Sequence, residues 1–440
     1  MTSNVIAKNK KLATFSWALW DWAEQPYPTL MQTFIFPLYL TGAVAANVKN
    51  PDVFVGWSTA IAGVLLAVMA PVMGRRSDEN GRRKFWLIVN TAILALITGL
   101  SFFVEPKPEY FLFGLILYGL GSVIQESAFI NYYAMLKGVT TDKNIGRVSG
   151  FAWGLGYIGG IVLLLISLVG FVLPKGQVHW FGLTEENGIN IRSIFLLSAI
   201  WIAVFSIPLL LWVPEIPKKV GAGKESILDS YKLLFQQLKT LRQQAPETFK
   251  FLISSAIYRD GLAGVFTFGA IIGQRAFGFE TTSIMFYGIA ANIVAAIGAA
   301  IGGWLDDKIG SRAVIAGSLV GLIFGSVSVF VFAPAGPITF WVFGLLLTLF
   351  VGPAQASSRT FVSRFTPHGR EGEVFGLYQT TGRAISFLSG TMYATSILLA
   401  DSLLGGNNHS IYGIWGIAII LVVGLFLLLR VHPRPAVLEN

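Results

Sequence analysis

Apolar runs of about 20 residues recur along this chain between short polar breaks, each long enough for a hydrocarbon core about 30 Å thick. Such a core holds no water, so backbone N–H and C=O groups must pair within helices or in a closed barrel. The runs are continuous rather than alternating, which excludes a barrel. Charged residues make up 12% of the chain, hydrophobic ones 54%, and the mean hydropathy is +0.65. A soluble domain carries about twice that charge. The pattern predicts twelve spans, at about 14–41, 53–73, 85–104, 110–136, 147–173, 191–213, 249–275, 281–303, 312–333, 338–365, 373–399 and 410–430.

The net charge of +9 is the ordinary excess of Lys and Arg in cytoplasmic loops, not a nucleic-acid surface. With the N-terminus inside, Lys8, Lys10 and Lys11 are cytoplasmic, as are Arg75, Arg76, Arg82, Arg83 and Lys84. The basic residues from Lys218 to Lys250 fall on the same side, while Lys49, Lys107 and Lys175 lie opposite. Both termini are therefore expected in the cytoplasm. The opening MTSNVIAKNKK has no apolar core, so no removable signal peptide is expected. The chain has no cysteine, and its histidines (179, 368, 409, 432) lie in loops or the tail. No metal or cofactor is expected. An enzyme is a poor reading, because there is no cysteine, no histidine in a span and no Gly-rich phosphate loop.

Three domains are expected: a six-helix bundle over 1–213, a cytoplasmic linker over 214–248 and a second bundle over 249–440. Within the linker, Leu228, Tyr231, Leu234, Phe235, Leu238 and Leu241 fall at helical spacing, with Lys232, Lys239 and Arg242 on the other face. That predicts an amphipathic helix on the membrane surface.

The bundles read as repeats of each other. Gly74, Asp78, Gly81, Arg82 and Arg83 follow the second span; Gly303, Asp307, Gly310 and Arg312 reproduce the spacing after the eighth. Gln125 and Ser127 answer to Gln355 and Ser357, and Gly150 and Gly156 to Gly376 and Gly382. The expected fold is an all-α membrane protein, with twelve transmembrane helices in two pseudo-symmetric six-helix bundles around a central cavity. Parallel repeats of this kind describe a secondary transporter.

The loop motif resembles the signature of the major facilitator superfamily. By that resemblance, Asp78 and Asp307 latch one half against helix starts of the other. SWALWDWAEQPYPTLMQTFIFPLYL, INYYAML, GRVSGFAWGLGYIGG, FLISSAIYRDG and AQASSRTFVSRFTPHGREGEVFGLYQTTGR are similar to the vacuole effluxer-like branch of that superfamily. The branch includes a yeast protein that releases amino acids from the vacuole, and it usually carries Asn where this chain has Glu24. The resemblance implies an integral protein of the bacterial cytoplasmic membrane, or of a vacuolar membrane in a eukaryote, working as a monomer in the bilayer.

An ionisable side chain near the bilayer centre costs about 2.5–3.5 kcal/mol or more, so it should face the bundle interior. The embedded acids are Asp21, Glu24, Glu126 and Asp260; the embedded cations are Arg259, Arg359 and Arg383. At about 1.5 Å per residue, Asp21 and Glu24 lie about 10 and about 15 Å from the cytoplasmic surface. Four acids against three arginines leave one carboxylate without a fixed cation. Such a group can load and lose a proton near neutral pH. Glu24 is the first candidate and Glu126 the second. Arg383 has the planar fork that suits a substrate carboxylate, and its repeat partner is Tyr157. Arg359 lies where an inner-gate ion pair would form. Gln25, Tyr27, Gln125, Asn131, Tyr132, Asn292, Gln355 and Gln379 could hydrogen-bond a zwitterion. Trp17, Trp20, Trp22 and Trp86 read as an interfacial belt.

The expected function is proton-coupled transport, by alternating access, of a small polar or zwitterionic solute such as an amino acid. Export of amphipathic, drug-like molecules is the alternative, and a non-transporting receptor a further one.

Overall fold

The computed structural model describes residues 2–432 apart from 47, 49–50, 52–53, 56–57, 59–60, 67, 70–72, 74–76, 78–80, 142, 174–177, 216–240, 244, 280, 367–370 and 406–408. For 2–9, 270, 274, 281–282, 284–285, 372–373 and 383–384 it describes the backbone alone. Most of the amphipathic helix expected in the linker, nine residues of the second span, Gly74 and Asp78 thus lie outside the described residues. Among those described there is no strand. Eight helical stretches, from Arg83–Phe103 to Ser410–Leu429, are long and apolar enough to cross a bilayer.

The principal helices are α1 (Thr2–Glu24), α2 (Arg83–Leu100), α3 (Phe111–Val139), α4 (Ile145–Ser167), α5 (Ile189–Trp212) and α6 (Pro246–Phe277). They continue as α7 (Thr281–Ile309), α8 (Ser311–Val331), α9 (Leu345–Phe365), α10 (Glu371–Ala384), α11 (Leu388–Leu404) and α12 (Gly413–Leu429). The chain divides into two compact units. The first comprises Met1–Val139 and Leu155–Ala222, the second Thr140–Gly154 and Gly223–Asn440. The boundary falls inside α4, whose opening turns belong to the second unit.

In the first unit α1 packs on α5 and α3, and α2 packs on α3 and α5. The first span is not one helix. Pro26 and Pro28 each remove a backbone donor, and Tyr27–Phe34 continues as a wider, π-type coil in which Ile35 N–H donates to Leu30 O at 3.0 Å. The Thr33 hydroxyl donates to Pro28 O at 2.8 Å.

Hydrogen bonds along its length tie this span to α3. Thr14 Oγ1 donates to Val139 O at 2.5 Å and Trp17 Nε1 to Tyr132 O at 3.0 Å. Further along, Tyr27 Oη donates to Tyr118 O at 3.0 Å and Gln32 Nε2 to Ser122 Oγ at 2.9 Å. The expected interfacial belt is corrected here. Trp17 and Trp20 are fully buried, both against the Tyr132 ring, and Trp20 Nε1 donates to Thr91. Trp22 stacks on Trp201. Only Trp86 of the four is exposed. Their depth along the helix was compatible with a belt, but the face they occupy is the packed one.

In the second unit α9 packs on α7 and α8, and α12 on α6, α8 and α11. α7 runs past the predicted end of its span, so Asp306 and Asp307 sit in its last turn rather than in a loop. Gly310 then turns the chain at φ 84°, as Gly81 does at φ 59° before α2, a region that glycine enters without strain. The eleventh span is also interrupted: α10 stops at Ala384, and 385–387 form a turn before α11.

Candidate functional site

In the first unit, Asp21 and Glu24 lie one turn apart on α1, at 4% and 3% exposure. Glu24 accepts one hydrogen bond, from Gln125 Nε2 of α3 at 2.7 Å, and no cation contacts it among the described residues. Asp21 and Glu126 are near enough to act on it electrostatically. Gln25 follows at once and donates to Thr29 Oγ1 at 3.1 Å, across the proline break. Tyr157 of α4 is buried in this unit, close enough to feel the charge of Asp21. The structure therefore brings together Asp21, Glu24, Gln125, Glu126 and Tyr157. Asn131 and Tyr132 lie further along α3, where Asn131 Nδ2 donates to Ser127 O at 3.3 Å and Tyr132 stacks on Trp17. Both belong to helix packing rather than to the acid cluster.

In the second unit Arg259 and Asp260 bond uncharged groups among the described residues. Arg259 of α6 donates to Tyr378 O at 3.0 Å and to Gln379 Oε1 at 2.7 Å, with its guanidinium 3.8 Å from the Tyr378 ring centroid. Asp260 accepts from Ser389 N at 2.5 Å and from Ser389 Oγ at 3.1 Å. Arg359, 1% exposed, donates to Ser149 Oγ at 2.9 Å and Ser149 O at 2.6 Å, and faces the Trp153 ring. Gln355 is half-buried on α9, and Asn292 Nδ2 donates to Gly288 O within its own helix. Arg383 stands in α10, its side chain outside the described residues. Counting acids against arginines does not identify the spare carboxylate. Asp260 is held by a serine and a helix start, so hydrogen bonding decides it.

The loop motif of the second half forms a charged cluster. Asp307 accepts from Gly146 N at 2.8 Å and Arg147 N at 3.0 Å, at the start of α4, and from Arg147 Nε at 3.0 Å. A carboxylate at that position satisfies orphan N–H groups and the helix dipole together. Arg364 bridges Asp306 and Asp307, and Arg312 Nη2 donates to Leu429 O at 2.6 Å. Gly150 and Gly303 meet here backbone to backbone, where a Cβ on either would come within 3 Å of the other's Cα. In the first half Arg83, buried, donates to Ala134 O at 3.2 Å. Glu215 accepts from Lys84 N at 2.9 Å and Phe85 N at 3.0 Å, at the start of α2.

Sequence reasoning missed Glu215, Asp306, Arg364, Ser149 and Ser389. Asp306 beside Asp307 was a legible signal. The other four act through contacts far along the chain and carry none.

Comparison with known proteins now decides the family. The model of the family described as "Vacuole effluxer Atg22 like" matches residues 137–437. The chain belongs to that family. It is 26% identical to the MFS-type transporter YxiO of Bacillus subtilis, over 94% of this chain and 93% of that protein. It is 22% identical to autophagy-related protein 22-1 of Aspergillus fumigatus over 56% of this chain, spanning 42% of that longer protein. The solved structure of the proton:xylose symporter XylE, bound to 6-bromo-6-deoxy-D-glucose, matches with a TM-score of 0.70 at 15% identity, covering 98% of this chain and 97% of that one. The fold is thus the all-α, twelve-helix, two-domain fold of the major facilitator superfamily. This Atg22-like protein is a multi-pass membrane transporter of small molecules, not an enzyme.

Proposed function

We propose that this transporter couples movement of a small polar or zwitterionic solute, an amino acid being the type case, to protons by alternating access. The observation that carries the reading is Glu24: a carboxylate 3% exposed, bonded to one neutral amide, with two other acids close by. A buried charge without a counter-ion is costly, and binding a proton removes that cost. Glu24 carries the proton; Gln125 orients its carboxyl group; Asp21, Gln25, Glu126 and Tyr157 furnish the polar surroundings. Arg383 is the proposed cation for a substrate carboxylate. Asp307 holds the start of α4 and Arg359 its Ser149 turn, and both release as the carrier changes state. The excess of basic residues in the loops on one side supports a cytoplasmic location for both termini, and the proposed working unit is a monomer in the bacterial cytoplasmic membrane.

The test is purified protein in liposomes loaded with a pH-sensitive dye, challenged with amino acids one at a time. An amino acid that drives proton movement, and is accumulated under a pH gradient, supports the reading. Glu24→Gln should abolish accumulation while leaving exchange of labelled substrate. Accumulation by Glu24→Gln against a gradient would overturn the assignment of the proton to Glu24. Proton movement evoked by amphipathic drug-like compounds, and by no amino acid, would replace the solute class with that of an exporter.

A further inference from the structure

The interruption of the eleventh span has no proline to cause it: Ile385, Ser386 and Phe387 stand between α10 and α11. Phe387 in that turn is 65% exposed. Two consecutive residues of α6 bond the pieces on either side of it. Arg259 reaches α10, bonding Tyr378 O and Gln379 Oε1 while lying over the Tyr378 ring. A Cβ at Gly382 would stand 3.2 Å from the Arg259 Nη1, so the guanidinium lies close against α10. Asp260 reaches α11, accepting the N–H and the hydroxyl of Ser389 in its first turn.

The geometry and the polarity agree. Neighbouring residues on a helix point about 100° apart, which sends the two side chains to different pieces of one partner. The anion meets a helix N-terminus, the end that favours it, while the cation bonds the middle of α10. Asp260 is 6% exposed and no cation contacts it among the described residues. A continuous helix would need no such group. Burying an acid to hold the start of a helix costs desolvation that a continuous helix would not incur.

We infer that Arg259 and Asp260 are a positioning pair for the transport cycle, tying both pieces of the interrupted span to α6 so that its bending is confined to 385–387. Use of the pair in a cycle rests on the transporter reading above; the clamp itself does not. Hydrogen exchange of the full-length protein in lipid nanodiscs, followed by mass spectrometry, tests it. Asp260→Ala should speed exchange of the amides at 388–392 by about tenfold or more while α1 and α3 exchange as in the wild type. Asp260→Asn, which keeps an oxygen acceptor, should restore most of that protection. Arg259→Met should loosen 378–384 instead. Unchanged exchange at 388–392 in Asp260→Ala would overturn the proposal. So would acceleration spread evenly over the chain, since that is general loosening. If Asp260→Ala does not fold, Arg259→Met decides: acceleration confined to 378–384 is the expected result, and unchanged exchange there the overturning one. Glu24→Gln should leave this exchange pattern untouched, so loss of the proton assignment and loss of the clamp are separately visible.

Discussion

The first helix of each half carries buried acid, and the two halves use it differently. Glu24 on α1 is bonded to a side-chain amide, and the helix that bears it breaks at the next turn. Asp260 on α6 is bonded to a backbone N–H, its own helix runs unbroken from Pro246 to Phe277, and the break lies in its partner. A carboxylate fixed to a helix start is part of the architecture, because losing its charge leaves that start uncapped. A carboxylate held by one neutral amide can change its charge with little effect on its neighbours. On the proposed reading the first helices of the two halves divide the labour: Glu24 serves exchange with protons and Asp260 serves shape.

Several measurements press on that division, and the transport contrast is the largest. Glu24→Gln should eliminate proton-driven accumulation, whereas Asp260→Asn should retain it with an unaltered pH dependence; equal loss in both, measured in liposomes, breaks the comparison. Next in size is Trp17→Ala, which removes the stacked anchor between α1 and Tyr132 and should cost about 3–5 kcal/mol in a detergent unfolding titration. A loss under about 1 kcal/mol would mean that the proline-broken span is held elsewhere. Gln125→Leu strips Glu24 of its one hydrogen bond among the described residues and should cost about 1–3 kcal/mol, less when combined with Glu24→Gln. Ser389→Ala is the smallest, about 0.5–1.5 kcal/mol, because the Ser389 N–H still donates to Asp260.

The two breaks also show what a sequence can reveal. Pro26 and Pro28 announce the first, since proline cannot donate and disrupts the coil. Ile385, Ser386 and Phe387 announce nothing; the bond that caps the helix after that break comes from Asp260, far away in the chain. The acids themselves were legible, because a carboxylate in an apolar run contradicts its surroundings. Their partners were not, because Gln125 and Ser389 are ordinary residues until folding places them. Trp17 and Trp20 failed for a related reason: position along a helix was readable, but the face turned to the neighbour was not. The repeated Gly–Asp–Gly spacing was readable because each glycine answers a local demand of the turn, independent of anything distant.

The glycine-to-glycine crossing of α4 and α7 has a mechanical meaning. With no side chains between Gly150 and Gly303, two backbones touch like smooth rods, and a small slip along the contact resets no rotamer. Asp307, a few residues beyond, grips the end of one rod. If the carrier rocks as proposed, a contact free of side chains beside a carboxylate grip would let one helix slide on the other without repacking.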